Sequence, residues 1–426
     1  MEIARRTSNG FAMISAPEAD RRIDEVFAGL TRRIDSQHVA LGECLGRVLA
    51  SDIVADRDQP PFDRVAMDGI AVALADAHST PADVFHIRGS LSPGQQTVAA
   101  EAFAGSDSAI EVMTGAALPQ PWNTVIPWED LEPSSGTGRR LRADAPFSPG
   151  LNIHCRGSDY RGGDLLLRSG TLLRAPHVHV LASVGCSAVP VLARPRAALV
   201  STGDELVAVD AAPGPHQIRM SNMPALAACL LRAGLPVGTT IHSADREDEL
   251  RRTLSAALAA SDVVFISGAV SKGSKDFVPA VLDSLGCSRV FHGVAHKPGK
   301  PLWFGTSPQG GVVFALPGNP VSSLVCFVRY ALPRLRRWGQ SPSPSDLRPD
   351  GVVLPLADAV KAQPGCTLLL PARVVERAGE VTALQTEKSK GSGNYAGLLS
   401  TDGIAEIPAQ DRTVPAGSPV RFFPWP

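Results

Sequence analysis

Residues 262–278 read DVVFISGAVSKGSKDFV, residues 296–305 read HKPGKPLWFG and residues 314–324 read FALPGNPVSSL. Each holds a short apolar run rich in Val, Ile or Phe beside a loop of Gly, Ser, Pro and Lys. Such runs predict buried strands, and the first and third loops lead into segments with helical spacing. Buried strand, loop and helix start, in that order, is how an open α/β sheet presents a ligand site at its carboxyl edge.

The third loop is the most readable. Asn319 is a favoured helix N-cap and Pro320 a favoured first helical residue, because its missing N–H would be unpaired there anyway. Gly318 permits close approach of a backbone or ligand, and the free amides of a helix start suit a phosphate. In the first loop Gly268, Ser271, Gly273 and Ser274 form a candidate anion nest. Between them Lys297 and Lys300 flank Pro298-Gly299, so two ammonium groups sit on a stiff turn. Any one of these loops alone reads better as a capped turn with solvated lysines. Three of them close together in sequence favour an anion site.

These stretches resemble the signature loops of the molybdopterin molybdenumtransferases, the MoeA and gephyrin E-domain family. Four further stretches match in the family's order: PPFDRVAMDGIAV (60–72), MTGAALP (113–119), RGSDY (156–160) and STGDEL (201–206). The resemblance reaches from about residue 12 to the C-terminus. The chain departs from the pattern at Arg64-Val65, at Ile70, at Met220 where an acid is usual, and at Lys272 inside the anion loop.

The chain has 426 residues, beyond the size at which one core keeps growing, so two to four domains are expected. A formal charge of −1 argues against nucleic acid as a partner. Seven cysteines are scattered with no CxxC and no zinc spacing, which predicts buried reduced thiols in a cytoplasmic protein. The start MEIARRTSNG lacks an uninterrupted apolar core, and no membrane association is expected.

In chain order, residues 12–50 read as mainly helical, with Ile23, Val26, Phe27, Leu30 and Ile34 on one stripe and LGECLGRVLA as a second short segment. Residues 51–156 form short β-like runs broken by Pro, Gly and Asp, a small β-rich domain. Residues 157–195 return to a mixed pattern with a helix ending at Gly185, and with 12–50 they make a mixed α/β connecting domain. On a helix His177 and His179 splay apart, so no metal site is read there. Residues 196–338 alternate strand and helix, which implies a three-layer α/β domain with a mostly parallel sheet. There Ser221 reads as a cap closed by Gly234, and Asp245 as a helix opener. After a Pro/Ser-rich linker, residues 350–426 give short strands without helical pattern, a C-terminal β-barrel.

The resemblance implies transfer of molybdenum from molybdate to the dithiolene of adenylylated molybdopterin with release of AMP. It assigns catalytic roles to Asp63, Thr114, Asp159, Glu205, Asp245, Asp276, Lys297, Lys300 and Ser392. It places the pterin nucleotide on Gly268, Ser271, Gly273, Pro298, Gly299, Pro301, Pro317, Gly318, Asn319, Pro320 and Ser322. Mg²⁺ prefers carboxylate oxygens, and Glu205 with Asp276 is the implied pair. From the residues alone, Asp63 reads first as a turn former in a Pro-rich loop, and Asp245 and Asp276 are equally helix caps. The resemblance also implies a homodimer in which Asp63 comes from the partner subunit, with the adenylyltransferase that supplies the substrate as a further candidate partner. Two rivals remain at this stage. One is a module that holds molybdopterin without inserting metal; the other is a nucleotide hydrolase on a CinA-like α/β domain.

Overall fold

The computed structural model describes residues 13–30, 35–76, 78, 80–95, 105–268, 277–338, 351–377, 381–387, 391 and 393–426. The chain divides into two compact units, Met1–Gln37 with Leu192–Pro426, and His38–Val191.

The larger unit is built on a six-stranded sheet. Its order is Val237–Ser243, Ala197–Thr202, Val263–Ser267, Val312–Leu316, Trp303–Thr306, Ser288–His292. The first four strands are parallel and the last two pairings are antiparallel, so the sheet is mixed. Strand periodicity divides its apolar residues between two cores. Leu199, Phe265 and Phe314 face one side, where Phe265 and Phe314 stack with centroids 5.6 Å apart. Val200, Val264, Ile266 and Val313 face the other. Helices Asn222–Arg232 and Pro320–Cys326 cover the first face; Glu247–Ala260 and Val278–Ser284 cover the second. Both faces of the three central strands are therefore dry, which is why those runs are continuously apolar in sequence. Each buried Phe contributes about 1.5–3 kcal/mol through burial.

Helix Ala16–Leu30 sets Ala19, Ile23 and Phe27, four residues apart, into the first of these cores. The expected second helical segment is not formed. Gly46 turns the chain at φ +73, and Leu41–Glu43 is a single 3₁₀ turn. Beyond that turn the backbone is extended, and Val48 bridges Leu172 while Leu49 bridges Val191.

The C-terminal strands pair in the order His296–Lys297, Thr367–Arg377, Gly403–Ile407, Pro419–Pro424, Val352–Pro355. Val381–Thr386 pairs with Thr367–Arg377, and Leu356 makes a bridge to Leu384. The parallel pairing of His296–Lys297 with Thr367–Leu368 fixes the start of the KPGKP turn against this sheet.

An ion network pins the N-terminal helix to the same unit. Arg329, fully buried, donates to both Asp20 carboxylate oxygens at 2.8 and 2.7 Å and to Glu406. Arg334 reaches Asp20 and Asp24, and Arg421 closes the set on Glu406 and Asp20. The Arg329 guanidinium also lies over the rings of Tyr330 and Phe423.

The smaller unit carries a six-stranded sheet ordered Thr124–Pro127, Gly69–Val72, Ser108–Val112, Phe85–Leu91, Gly138–Leu141, Leu131–Pro133. Its remaining part holds helix Ala175–Ser183, which ends before Gly185 at φ +72 as the sequence predicts. His177 Nδ1 accepts a hydrogen bond from the Arg174 amide at the start of that helix. No helix among the described residues is long and apolar enough to cross a membrane.

Candidate functional site

In the larger unit the carboxyl ends of three parallel strands open on one cavity of about 1230 Å³. Thr202 and Gly203 end the first strand, Ser267 and Gly268 the second, and Leu316 leads into Pro317 at the third. The strand ends approach closely. A Cβ on Gly268, at φ +108, would lie 2.6 Å from the carbonyl and hydroxyl oxygens of Thr202. Asn222 Nδ2 donates to Ser267 Oγ and to the Gly318 carbonyl, both at 2.8 Å, which ties the second strand end to the third loop.

Most of the expected residues meet here. Glu205, Asp245, Gly268, Lys297, Pro298, Gly299, Lys300, Pro301, Pro317, Gly318, Asn319, Pro320 and Ser322 all line this cavity. Glu205 folds its carboxylate over Gly203, where a Cβ would meet Oε2 at 2.6 Å. Asn319 occupies the N-cap position of Pro320–Cys326, with extended backbone, but makes no capping hydrogen bond through its side chain. The N-cap position of Glu247–Ala260 is Arg246 rather than Asp245, and the Asp245 amide donates to Asp204 Oδ1 at 3.1 Å. Its carboxyl position on the cavity wall is thus compatible with a ligand role. Ser271, Gly273, Asp276 and Ser392 lie outside the described residues, while Gly391 beside the last lines the cavity.

Lys297 and Lys300 are exposed, and neither ammonium has a carboxylate within 4 Å among the described residues. The Lys297–Pro298 peptide bond is cis and Gly299 takes φ +100. Two exposed cations beside three strand-end loops make the cavity suited to a large, multiply charged anion.

Sequence reasoning missed parts of this wall. Thr202 Oγ1 is buried with no hydrogen-bond partner among the described residues. Ser201 Oγ lies 3.1 Å from His242 Nδ1 and 3.2 Å from Met220 Sδ. Gln363 and Leu368–Leu370 line the cavity from the C-terminal strands. Nothing local marks them, because they arrive through the long-range pairing of Thr367 with His296.

Asp63, Thr114 and Asp159 belong to the smaller unit, on neighbouring loops. Asp63 Oδ1 accepts from the Arg156 amide at 2.8 Å, and its carbonyl accepts from Leu118. The Asp159 amide donates to the Gln59 carbonyl at 2.9 Å. Thr114 gives both its amide and its hydroxyl proton to Asp68 Oδ1, at 2.6 and 2.7 Å. Those two bonds, the amide first, hold the Asp68 carboxyl below its ordinary range. Asp68 is the second acid of FDRVAMDG, and sequence reasoning singles out only the first. Asp58, which accepts from Gly162 and Arg156, carries no sequence signal of its own.

With this geometry in hand, comparison with known proteins is decisive. Residues 14–185 match the MoeA N-terminal region (domain I and II), 198–337 a probable molybdopterin binding domain, and 353–425 the MoeA C-terminal region (domain IV). A molybdopterin molybdenumtransferase of Synechocystis sp. is 34% identical over 381 residues, covering 89% of this chain and 93% of that protein. The chain belongs to the molybdopterin molybdenumtransferase family. A Bacillus subtilis relative of the same name is 28% identical and covers 96% of this chain and 94% of its own length. The crystal structure of a molybdopterin biosynthesis MoeA protein from Pyrococcus horikoshii OT3 superposes with a TM-score of 0.75 at 26% identity, covering 96% of this chain and 99% of that one.

Proposed function

We propose that this chain inserts molybdenum from molybdate into adenylylated molybdopterin, releasing AMP, at the cavity of the larger unit. The observation that carries the reading is the Lys297-Pro298-Gly299-Lys300 turn, whose ammonium groups, without a carboxylate partner among the described residues, share one cavity with three strand-end loops. A volume of about 1230 Å³ accommodates a pterin nucleotide rather than a lone oxyanion. Curated relatives named molybdopterin molybdenumtransferase support the assignment to molybdenum cofactor biosynthesis.

In this reading Lys297 and Lys300 hold the phosphate charge. The amides around Gly268 and Gly318 cradle its oxygens, and Asn222 keeps the two loops in register. Glu205 and Asp245 offer carboxylate oxygens on the same wall. That donor set fits Mg²⁺, which takes one or two carboxylates with substrate phosphates and water. When bound, the ion would neutralise phosphate charge; Glu205 would hold it, together with Asp276.

The reading extends to a homodimer in which the loops carrying Asp63, Thr114 and Asp159 complete the cavity of the partner subunit. Exposed Phe62, Met67 and Met113 on those loops support it, since apolar side chains around polar groups mark interaction surfaces. The adenylyltransferase that supplies the substrate is a further partner. The domain division is 12–50 with 157–195, 51–156, 196–338 and 350–426. The C-terminal strands make a barrel, supported by the Leu356–Leu384 bridge, which joins the residue after Val352–Pro355 to Val381–Thr386, the strand paired with Thr367–Arg377. Seven free cysteines support a cytoplasmic setting.

One observation favours the holding-module reading: Met220 stands in the cavity wall beside Ser201, where the family usually has an acid. Incubating the protein with adenylylated molybdopterin, molybdate and Mg²⁺ separates the two. The transferase releases AMP in step with active cofactor. A protein that binds the adenylate and releases no AMP is a carrier.

A further inference from the structure

The turn that presents Lys297 and Lys300 is held from beneath by two buried side chains outside the set so far given roles. His296 Nδ1 lies 2.7 Å from the Pro298 carbonyl, and Cys326 Sγ lies 3.6 Å from the Gly299 carbonyl. Both side chains are buried, His296 at 2% exposure and Cys326 at 0%. Gly299 presses onto them so closely that a Cβ would meet Cys326 Sγ at 2.4 Å and His296 Cε1 at 2.8 Å. A surface turn of two exposed lysines would ordinarily have its carbonyls in water. Here consecutive carbonyls are anchored in the core.

We propose that His296 and Cys326 are positioning residues for Lys297 and Lys300, fixing the turn so that both ammonium groups meet the substrate's phosphate charge in one arrangement. The proposal rests on the transferase reading.

The chemistry of the contact fixes its direction. The Pro298 carbonyl can only accept, so Nδ1 carries the proton and donates. Nε2 is then a lone pair, buried and without a hydrogen-bond partner among the described residues. Burial first, and the nearby Arg329 charge as well, press the imidazole down to about 4 against the pull of the Pro298 hydrogen bond. The ring is therefore neutral across the working range and serves as a fixed donor rather than a proton carrier. Its neighbours keep it in place: the Tyr330 ring lies 5.5 Å away, and the His296 backbone is paired in register with Thr367. Cys326 supplies the second anchor from the Pro320–Cys326 helix, which also carries the third loop of the cavity. Cys326 thereby links the lysine turn to the helix that follows the anion loop.

The test uses the full chain and adenylylated molybdopterin, with steady-state turnover and thermal melting measured on each variant. His296→Leu removes the donor at similar volume. We expect KM to rise about tenfold with kcat within about twofold, the signature of lost substrate binding rather than lost chemistry. His296→Asn restores an N–H near the Nδ1 position and should recover KM to within about threefold. Cys326→Ala, which leaves His296 in place, should raise KM by about threefold, and it carries the test where the leucine variant does not fold, an unchanged KM then overturning the proposal. Lys297→Ala runs alongside as the control for the underlying reading. If Lys297→Ala raises KM while a folded His296→Leu does not, or if Asn rescues no better than Leu, the positioning proposal is wrong. If Lys297→Ala leaves KM unchanged, the phosphate role of the turn falls, and this proposal with it. A wild type without turnover instead rejects the transferase reading.

Discussion

Arg329 and Lys297 are both cations of the larger unit, yet they are handled in opposite ways. Arg329 is fully buried, and Asp20, Glu406 and two aromatic faces surround it. Lys297 and Lys300 stand exposed on a turn with no carboxylate partner among the described residues. Taking a charge out of water costs several kcal/mol and must be matched by partners, so the buried network is a staple between the N-terminal helix and the C-terminal strands. A cation left unpaired on an anchored turn does little for stability and keeps its field for a ligand. The difference teaches where to look for binding: at charges that the fold holds still and does not neutralise.

The largest effect is expected on the buried side. Arg329→Met takes from Asp20 and Glu406 their fully buried partner, leaving them only Arg334 and Arg421, and should destabilise the protein by about 3–5 kcal/mol, read as a loss of about 10 °C in melting temperature. Ligand affinity of whatever remains folded should be unchanged. The exposed side should show the mirror image. Lys297→Ala and Lys300→Ala should each weaken binding of adenylylated molybdopterin about tenfold by calorimetry, with melting temperatures within about 2 °C of wild type. A lysine variant that melts early, or an arginine variant that melts normally, would break the comparison.

Acid sharpens it further. Burial raises the Asp20 carboxyl, but the Arg329 hydrogen bonds and the charges of Arg329, Arg334 and Arg421 outweigh that and leave it below its ordinary value. A depressed carboxyl contributes stability that is present above its unfolded value and lost as pH falls through the folded one. Melting temperature should therefore drop below about pH 4, and the drop should be shallower in Arg329→Met. The smallest expected signal concerns assembly. Mixing Asp63→Ala with Lys297→Ala protein should restore up to about a quarter of sites if subunits exchange randomly in a closed dimer. No recovery despite demonstrated exchange would place Asp63 outside the shared site.

Much of the cavity is legible in the sequence because its parts are local. Val263–Ser267 and Val312–Leu316 read as buried strands, and Gly268, Gly318, Asn319 and Pro320 mark the loops they deliver. What is not legible depends on distant pairing. Gln363 and Leu368–Leu370 reach the cavity only because Thr367 pairs with His296. The Arg329 network joins residues 309 and 77 positions apart in sequence, and no periodicity announces it. Asp245 reads as a helix opener because an acid before a helix usually caps it, whereas the N-cap position falls one residue later, at Arg246. The LGECLGRVLA stretch reads as helical because its apolar spacing fits, while Gly46 at φ +73 redirects the chain.

The most direct test of the account is a calorimetric titration of adenylylated molybdopterin into the wild type and the Lys297→Ala/Lys300→Ala double variant, with melting curves on the same samples. The account predicts tight binding to the wild type, a loss of about a hundredfold in the double variant, and superimposable melting. Equal affinity in two equally stable proteins would show that the unpaired lysines do not hold the substrate, and the cavity's assignment would fail.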